Sequence, residues 1–351
     1  MSWIRGKLSD MAVFQRGYDL TKKEQRDGQY PVVSSSGVTS YHSEYKARGP
    51  GVITGRSGTL GKFYFIETDY WPHNTTLFVK DFKGNNPKFV YYYLGLLGIK
   101  RFNAGGATPT LNRNHIHNLE VLIPPRGEQD RIVGILDNYD EIIKCKRKKI
   151  SFIEEFIETL YLEWFVYLRF PGYDETKIID AVPEGWSKEK VRDCFVLNYG
   201  KALAKGDRRN GNVFVIGSSG VTGVHDKPLV SPKGIVVGRK GNVGAIYWLG
   251  REFYPIDTVF YLKDEDATVF NYFRLKNSLN LRSTDAAVPG LNRDFVYSQL
   301  VLQPEDSITS LFENIGRPMM DLIDLERESC IKLDQAKKVV LNGIINEVLT
   351  V

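Results

Sequence analysis

The sequence is poor in the residues that build metal sites and disulfide frameworks. Its 351 residues include three cysteines, at positions 145, 194 and 330, and none of them stands in a Cys-x-x-Cys pair. This scatter argues against a structural zinc site and indicates a reducing compartment. No apolar run approaches the ~18 residues of a membrane-spanning helix, and the first residues lack the apolar core of a signal peptide. We therefore expect a cytoplasmic protein that makes no membrane contact.

Sequence signatures of catalysis and of cofactor binding are missing as well. The loop from Gly55 to Gly61 is not a nucleotide-binding loop, because five residues separate its outer glycines and Phe63 stands where Ser or Thr is required. The five histidines, at positions 42, 73, 115, 117 and 225, give one His-x-His spacing, at 115 and 117. Without cysteine or carboxylate neighbours, they are predicted to be surface or turn histidines. No glycine-rich fingerprint follows a strand. The pattern predicts a binding protein with no catalytic residue, metal or cofactor of its own.

A heptad pattern runs from about residue 128 to residue 165. Apolar or aromatic residues recur in alternating steps of four and three, with Lys146 filling the one gap, at positions 132, 136, 139, 143, 150, 153, 157, 160 and 164. The pattern is typical of a helix that packs lengthwise on a partner helix. Ile135, Ile142 and Phe156 are expected to widen the apolar stripe. We predict a spacer helix over residues 126–168, and about 40 helical residues span roughly 60 Å.

The chain repeats itself at a spacing of 183 residues. Between Trp3 and Thr75, 24 of 73 ungapped positions are identical to their counterparts. Ser-Ser-Gly-Val-Thr at 35–39 recurs at 218–222, and a Gly-Arg-x-Gly-x-x-Gly loop at 55–61 recurs at 238–244. After a three-residue shift, Pro-x-Leu-Asn-Arg at 109–113 recurs at 289–293. The sequence is therefore a tandem duplication.

The repeat and the helical pattern together predict four segments. Short β-branched and aromatic runs bounded by turn residues make each copy a strand-rich globular half. A second heptad pattern, with a slip near Glu326, follows the second copy, and two long amphipathic helices in one chain most simply pair with each other. The predicted segments are residues 1–125, the helix at 126–168, a linker with the second half at 169–305, and a C-terminal helix at 306–351.

Charge is distributed unevenly over these segments. Residues 1–125 carry a net charge of +7 and residues 169–305 carry +3, whereas residues 126–168 carry −2 and residues 306–351 carry −3. Basic globular halves beside acidic helices are expected if the halves contact a polyanion and the helices do not. An ordinary fluctuation of charge along the chain is the alternative interpretation. We interpret the basic run at 144–149 as a solvated helix face. The alternative interpretation is an electrostatic contact with DNA that passes nearby.

The glycine-flanked arginines, Arg56 and Arg239, stand at equivalent places of the repeated loop. The glycines let the backbone pass close to a neighbour, so the loop is either a structural turn between two strands or a phosphate contact. Because both copies share these arginines, they suit a phosphate or folding role better than the reading of different bases. The segments that differ between copies, 39–47 against 222–230 and 70–74 against 253–257, are better candidates for specificity.

The ordered motifs resemble those of the specificity (S) subunits of type I restriction–modification enzymes. The resemblance covers nearly the whole chain, and the strand ending at Pro124-Pro125 followed by Glu128-Gln129 belongs to it. One departure is that the start of the second helix lacks this Glu-Gln pair. The resemblance implies an α+β fold with two target-recognition domains, separated by two long helices that form an antiparallel coiled coil with pseudo-two-fold symmetry.

The resemblance also implies a non-catalytic function. Each domain would read one half of a split site in double-stranded DNA, and the helices would set the spacing. The subunit would dock two methylase subunits, which use S-adenosylmethionine, and through them nuclease subunits. Loop positions and resemblance together give the candidate DNA-contacting residues Thr39, Ser40, Tyr41, Arg56, Lys62, Arg101, Asn112, Arg113, Thr222, Lys233, Arg239, Lys240, Asn242, Asn292 and Arg293.

Two alternatives come from other functional classes. One is a two-module scaffold or ligand-binding protein braced by a coiled coil. The other is a nuclease that uses carboxylates near Asp69 or Asp257. Tight DNA binding only with a methylase partner favours the specificity subunit, whereas metal-dependent cleavage by the purified chain favours the nuclease.

Overall fold

A computed structural model describes residues 3–102, 109–283 and 290–349, without the side chains of Lys100 and of residues 345–349. The chain divides into two compact units. Unit 1 comprises Met1–Lys144 and Ile331–Val351, and unit 2 comprises Cys145–Cys330. Each unit therefore contains one globular half and part of each long helix, whereas the sequence-based division keeps the helices apart from the halves.

Unit 1 is built around a four-stranded antiparallel sheet in the order β2-β8-β5-β6. A three-stranded sheet, β4-β3-β7, and a two-stranded ribbon, β1-β9, accompany it. The central strand β5 is buried along its whole length. The strands are β1 (Ile4–Lys7), β2 (Val13–Arg16), β3 (Tyr30–Ser34), β4 (Gly37–His42), β5 (Gly51–Gly55), β6 (Phe63–Ile66), β7 (Trp71–Pro72), β8 (Thr76–Asp81) and β9 (Glu120–Ile123).

Unit 2 repeats this arrangement. Its sheets run β13-β19-β16-β17, β15-β14-β18 and β12-β20, and a small hairpin, β10-β11, is additional. The strands are β10 (Ile178–Ile179), β11 (Val182–Pro183), β12 (Ser187–Lys190), β13 (Asn198–Tyr199), β14 (Val213–Gly217), β15 (Gly220–His225), β16 (Gly234–Gly238), β17 (Ile246–Leu249), β18 (Phe253–Pro255), β19 (Val259–Lys263) and β20 (Leu300–Gln303). The duplication read from the sequence is thus a duplication of the fold.

Short helices complete each unit. Asn86 caps the helix Pro87–Leu96 by accepting hydrogen bonds from two backbone amides, and Thr268 caps Val269–Asn277 through the Asn271 amide. Such caps satisfy amides that have no partner inside a helix. The remaining short helices are Leu8–Met11, Arg113–His117, Val191–Cys194 and Arg293–Ser298, with 3-10 turns at Ile99–Phe102, Lys205–Asp207 and Asp264–Asp266.

The two long helices are the central helix, Arg126–Tyr161, extended by a π-helical turn at Leu162–Val166, and the C-terminal helix, Asp306–Leu349. In unit 2 they run antiparallel: Lys146 contacts Glu326, and Trp164 contacts Phe312. The Lys146 ammonium lies 2.6 Å from one Glu326 carboxylate oxygen, and Lys149 lies 2.8 Å from the other. The two residues that interrupt the heptads, Lys146 and Glu326, are therefore partners in an ion pair.

The helices contribute to both hydrophobic cores. In unit 1, Ile132 and Leu136 of the central helix and Leu341 of the C-terminal helix join the buried side chains of the half. In unit 2, Trp164 and Phe312 join a cluster of aromatic rings around Phe270. Burial of apolar area at about 25 cal/mol per Å² makes these contacts a main source of stability.

The apolar stripe of the central helix is narrower than the sequence predicts. Ile142 and Phe156 were expected to widen it, but they are 46% and 51% exposed. Ile143 and Ile157, one residue further along, are buried. One residue turns the helix surface by about 100°, which carries Ile142 and Phe156 off the seam. None of the described helices is long and apolar enough to cross a membrane.

Candidate nucleic-acid interface

The glycine loop of unit 1 leaves the buried strand β5 and folds back on itself. A Cβ atom on Gly55 would lie 1.8 Å from the carbonyl oxygen of Thr59, so only glycine fits there. The amides of Arg56 and Ser57 both donate to the Thr75 carbonyl, at 2.8 and 3.1 Å. In unit 2, a Cβ atom on Gly238 would likewise lie 2.1 Å from the carbonyl oxygen of Asn242. The glycines of the loop therefore have a structural reason, which supports the structural-turn interpretation. A phosphate contact by the same loop is not tested by this geometry.

The loop and the Pro-x-Leu-Asn-Arg motif, distant in sequence, are joined by backbone hydrogen bonds. In unit 1 the Leu111 amide donates to the Arg56 carbonyl at 2.8 Å. In unit 2 the Leu291 amide donates to the Arg239 carbonyl at the same distance. Pro289, the first residue of the second motif, lies outside the described residues. We call the loop and this segment together the motif platform of each unit.

Two shared residues of the platform have folding roles. Leu111 and Leu291 are buried. Asn112 caps the helix Arg113–His117 through the Asn114 amide, and Asn292 caps Arg293–Ser298 through two amides. This agrees with the expectation that residues common to both copies serve the fold rather than base reading.

The Ser-Ser-Gly-Val-Thr segment forms the turn of a β-hairpin beside the platform. The Thr39 hydroxyl donates to the Val32 carbonyl at 3.3 Å, and the Thr222 hydroxyl donates to the Val215 carbonyl at 3.2 Å. Both threonines are exposed on their outward side. Beyond them the copies diverge: Tyr41 is 56% exposed, whereas Val224 occupies the equivalent place. Ser40, between Thr39 and Tyr41, is half-buried.

The basic candidates of unit 1 are held loosely. The Nε atom of Arg56 donates to the Asn74 carbonyl at 3.2 Å, and its side chain is half-buried. Lys62 is exposed, with its ammonium 5.2 Å from the centroid of the Tyr64 ring. Arg101 is exposed beside its neighbour Phe102, and Arg113 is also exposed. These cations remain available to an anionic partner.

In unit 2 the two platform arginines share one aromatic ring. The Arg239 and Arg293 guanidinium carbons lie 5.2 and 4.7 Å from the centroid of the Tyr199 ring. Lys240 and Asn242 are exposed on the same loop. Tyr199 was absent from the sequence-based candidates because it lies in neither the repeated motifs nor the divergent segments at 222–230 and 253–257.

Lys233 fits the candidate set less well than the other cations. It is half-buried, and this burial, together with the nearby charge of Arg317, lowers the pKa of its ammonium. Because its side chain is half-buried, Lys233 is less accessible to a phosphate than the exposed cations.

Two histidines depart from the expectation of surface or turn positions. His42 and His225 are buried at equivalent places of the repeat. The Nδ1 atom of each accepts a backbone amide, that of Arg26 at 2.9 Å and that of Arg209 at 3.1 Å. They are structural, and a buried polar ring needs such a partner.

The carboxylates considered for a nuclease do not assemble into one site in either unit. Asp69 accepts the Gly49 amide at 2.9 Å, which fixes a loop, and Asp257 is exposed. The described residues contain no group of three His, Cys, Asp or Glu side chains arranged to hold a metal ion.

Comparison with known proteins identifies this architecture. Residues 2–155 match the family described as the type I restriction modification DNA specificity domain. The type I restriction enzyme MjaIX specificity subunit of Methanocaldococcus jannaschii is 23% identical over 107 residues, 29% of this chain and 24% of that protein. A protein named as a type I specificity subunit in Mycoplasma pneumoniae is 22% identical over 268 residues, 71% of this chain and 70% of its own length. The chain thus spans about a quarter of the first relative and more than two thirds of the second.

A solved structure shares the fold over almost the whole chain. The type I restriction–modification S subunit from M. genitalium has a TM-score of 0.58 at 14% sequence identity, covering 98% of this chain and 96% of that one. Residues 2–155 match the type I DNA specificity domain family, and the resemblance of the chain to S subunits is confirmed.

Proposed function

We propose that this chain is the DNA-recognition subunit of a type I restriction–modification complex, with each unit reading one half of a bipartite site. One observation carries the proposal. Both units build the same motif platform from shared residues and place exposed side chains that differ between copies beside it, as at Tyr41 and Val224. A common scaffold with different outer side chains suits two modules that read different sequences.

The charge pattern supports this reading. Arg56, Lys62 and Arg113 in unit 1, and Arg239, Lys240 and Arg293 in unit 2, are exposed or half-buried cations on or beside the platform. Such residues neutralise phosphates and give an affinity that falls with salt. Base discrimination would then come from the hairpin residues that differ between copies.

The long helices have two roles in the proposal: setting the gap between half-sites and docking methylase subunits. Each helix contains residues of both units, so it is a continuous connection between them. The methylase subunits, two in number, would bind S-adenosylmethionine and perform methyl transfer, and nuclease subunits would join through them. This chain would carry no catalytic step, in a cytoplasmic complex.

Methylation mapping tests the function. The chain is expressed with its methylase in a host without other adenine methylation, and methylated adenines are mapped across the genome. A bipartite motif that disappears when this chain is omitted is the expected result. The same motif without the chain, or metal-dependent cleavage by the purified chain, contradicts the proposal.

An insertion tests the spacing role. Four residues added after Ser151 lengthen the central helix by about one turn, roughly 6 Å. We expect both half-sites to be retained and the gap between them to change. The same four residues inserted after Asp174, outside both long helices, are the control and should leave the gap unaltered. Altered half-sites with an unchanged gap would contradict the spacing role.

A further inference from the structure

We propose that Arg239 and Arg293, held on the ring of Tyr199, form a clamp for one phosphate of the DNA backbone in unit 2. We call these three residues the arginine clamp. The proposal rests on the DNA-recognition function proposed above. It adds a ligand group, a DNA phosphate, and a positioning residue, Tyr199.

The geometry of the clamp is that of a double cation–π contact. Both guanidinium carbons lie within 5.2 Å of the same ring centroid. A guanidinium within about 6 Å of an aromatic face is attracted to it. Arg239 also lies 5.8 Å from the ring of Phe260. The ring therefore limits the positions that the two charged groups can adopt.

Tyr199 is itself anchored. Its ring meets that of Phe260 edge-on, at 4.9 Å between centroids and an interplanar angle of 62°. Phe260 is 1% exposed, and its backbone pairs with that of Tyr199 between strands β19 and β13. Tyr199 remains 47% exposed. One side of the ring is thus fixed to the core while the rest stays open to a partner.

The backbone also holds the two arginines together. The Arg239 amide donates to the Thr258 carbonyl at 2.9 Å, and the Arg239 carbonyl accepts the Leu291 amide at 2.8 Å. Leu291 is buried and lies two residues before Arg293. The clamp therefore joins two chain segments whose relative positions are set by the motif platform.

The charges of the clamp are not neutralised within the described structure. Neither guanidinium forms an ion pair with a described residue, and the Nε atom of Arg293 is buried without a hydrogen-bond partner. Exposed Lys240 adds a third positive charge on the same loop. Like charges gathered on one ring repel one another, and an anion removes that repulsion. The planar guanidinium fork fits the oxygens of a phosphate.

The described residues of unit 1 contain no equivalent of the clamp. Arg16 stands where the repeat places Tyr199, and its guanidinium is 3.9 Å from a carboxylate oxygen of Asp19. Arg56, the counterpart of Arg239, donates to the Asn74 carbonyl instead. The clamp is thus a feature of unit 2, added to a platform that both units share.

The test measures binding of the full chain, loaded with its methylase subunits, to a fluorescent 30-base-pair duplex of random sequence between about 50 and 200 mM salt. A phosphate contact acts on any sequence, so the unknown target is not needed. We expect Arg239→Ala and Arg293→Ala each to lower the magnitude of the slope of log affinity against log salt, and the double variant to lower it by about 0.9 in all, the loss of one phosphate contact. Tyr199→Leu should weaken binding about two- to fivefold, whereas Tyr199→Phe, which keeps the ring, should bind like the unaltered chain.

A double variant separates positioning from bracing. If Tyr199 positions Arg293, then Arg293→Ala should cost less in the Tyr199→Leu background than in the unaltered chain. If the ring only braces the loop, the losses of binding free energy caused by Tyr199→Leu and Arg293→Ala should add in the double variant. Tyr199→Leu alone should then lower the melting temperature and leave the salt slope unchanged. That result would overturn the clamp.

A matched control comes from the same unit. Arg251 is an exposed arginine 4.8 Å from the ring of Phe214, and it follows strand β17 at the end away from the glycine loop. Arg251→Ala removes the same charge and the same kind of contact and should leave the slope unchanged. Equal slope losses in Arg251→Ala and Arg293→Ala would mean that any exposed arginine of the unit contributes through its charge alone, and would overturn the clamp. Absence of binding by the unaltered methylase-loaded complex would overturn both the proposed function and the clamp, whereas binding with unchanged slopes in the clamp variants would overturn only the clamp.

Discussion

The two units use the same backbone framework but support their outer side chains differently. The hydrogen bonds from Thr39 to Val32 and from Thr222 to Val215 are copies of each other. The arginines are not: Arg56 contacts a carbonyl, whereas Arg239 contacts aromatic rings. The hydrogen bonds that support the hairpin are thus the same in both copies, whereas the contacts of the outward-facing arginines differ.

The two units also differ in the side chains that contact the long helices. In unit 1 the Tyr92 hydroxyl lies 2.7 Å from an oxygen of Asp137 and 2.5 Å from one of Asp140, and Lys337 of the C-terminal helix contacts Asp140. In unit 2 the ion pairs of Glu326 with Lys146 and Lys149 join the helices, and edge-to-face aromatic contacts surround Phe312. Both units thus join the two long helices through charged side chains, and unit 2 adds a cluster of aromatic rings.

The largest expected effect comes from exchanging a whole half. If the units are independent readers, replacing residues 1–125 by those of a related specificity subunit should alter one half-site completely and leave the other unchanged. Methylation mapping measures both halves at once. The control is the same exchange of residues 186–303 in the second half. A change in both halves of the target would show that the units are not independent.

The duplication, the long helices and the strand-rich halves could be predicted from the sequence. Identities at a fixed offset and heptad spacing are local, additive signals. The partnership of Lys146 with Glu326 could not be predicted, although each was noticed as an interruption. Nothing in either heptad fixes the register of one helix on the other, and that register decides which polar residues meet.

The motif platform shows a similar limit of prediction from the sequence. The two motifs of each platform could be listed from the sequence, but the hydrogen bond from Leu111 to Arg56 joins segments that no pattern relates. Tyr199 was missed for a different reason. It lies outside the repeated motifs and outside the divergent segments that were favoured for specificity. Its place beside Arg239 and Arg293 is visible only in the structure.

The second prediction contrasts the two cores that the C-terminal helix enters. Phe312 is fully buried in unit 2, and Leu341 is buried in unit 1. Phe312→Ala should destabilise by about 3–5 kcal/mol and Leu341→Ala by about 2–5 kcal/mol, because each leaves a cavity. Hydrogen exchange measured by mass spectrometry should show faster exchange mainly in the unit that lost the side chain. Equal acceleration in both units for either variant would mean that they unfold as one body.

The third prediction concerns the arginine of unit 1. Because Arg56 is shared by the repeat, we expect it to contact a phosphate rather than read a base. Arg56→Ala in the methylase-loaded complex should weaken binding similarly across target variants and lower the salt slope by about one unit. If Arg56 only braces its loop through Asn74, the slope would stay while the melting temperature falls. Lost discrimination at one base pair with an intact slope would make Arg56 a reader.

The smallest expected effect concerns the ion pair between the helices in unit 2. Hydrogen bonds from Lys146 and Lys149 lower the pKa of the Glu326 carboxyl below its ordinary value. A carboxyl whose pKa is lowered by folding adds stability above its unfolded pKa and loses that contribution as the pH falls through the folded value. The melting temperature of the unaltered chain should therefore exceed that of Glu326→Gln at neutral pH, and the difference should shrink as the pH drops below about 4.5. Glu141→Gln, which removes an exposed carboxylate paired with Lys144 on the same helix, is the control and should show little difference at any pH. A gap between the unaltered chain and Glu326→Gln that persists unchanged into acid would mean that the side chain stabilises the helices by packing, and that its charge is not what joins them.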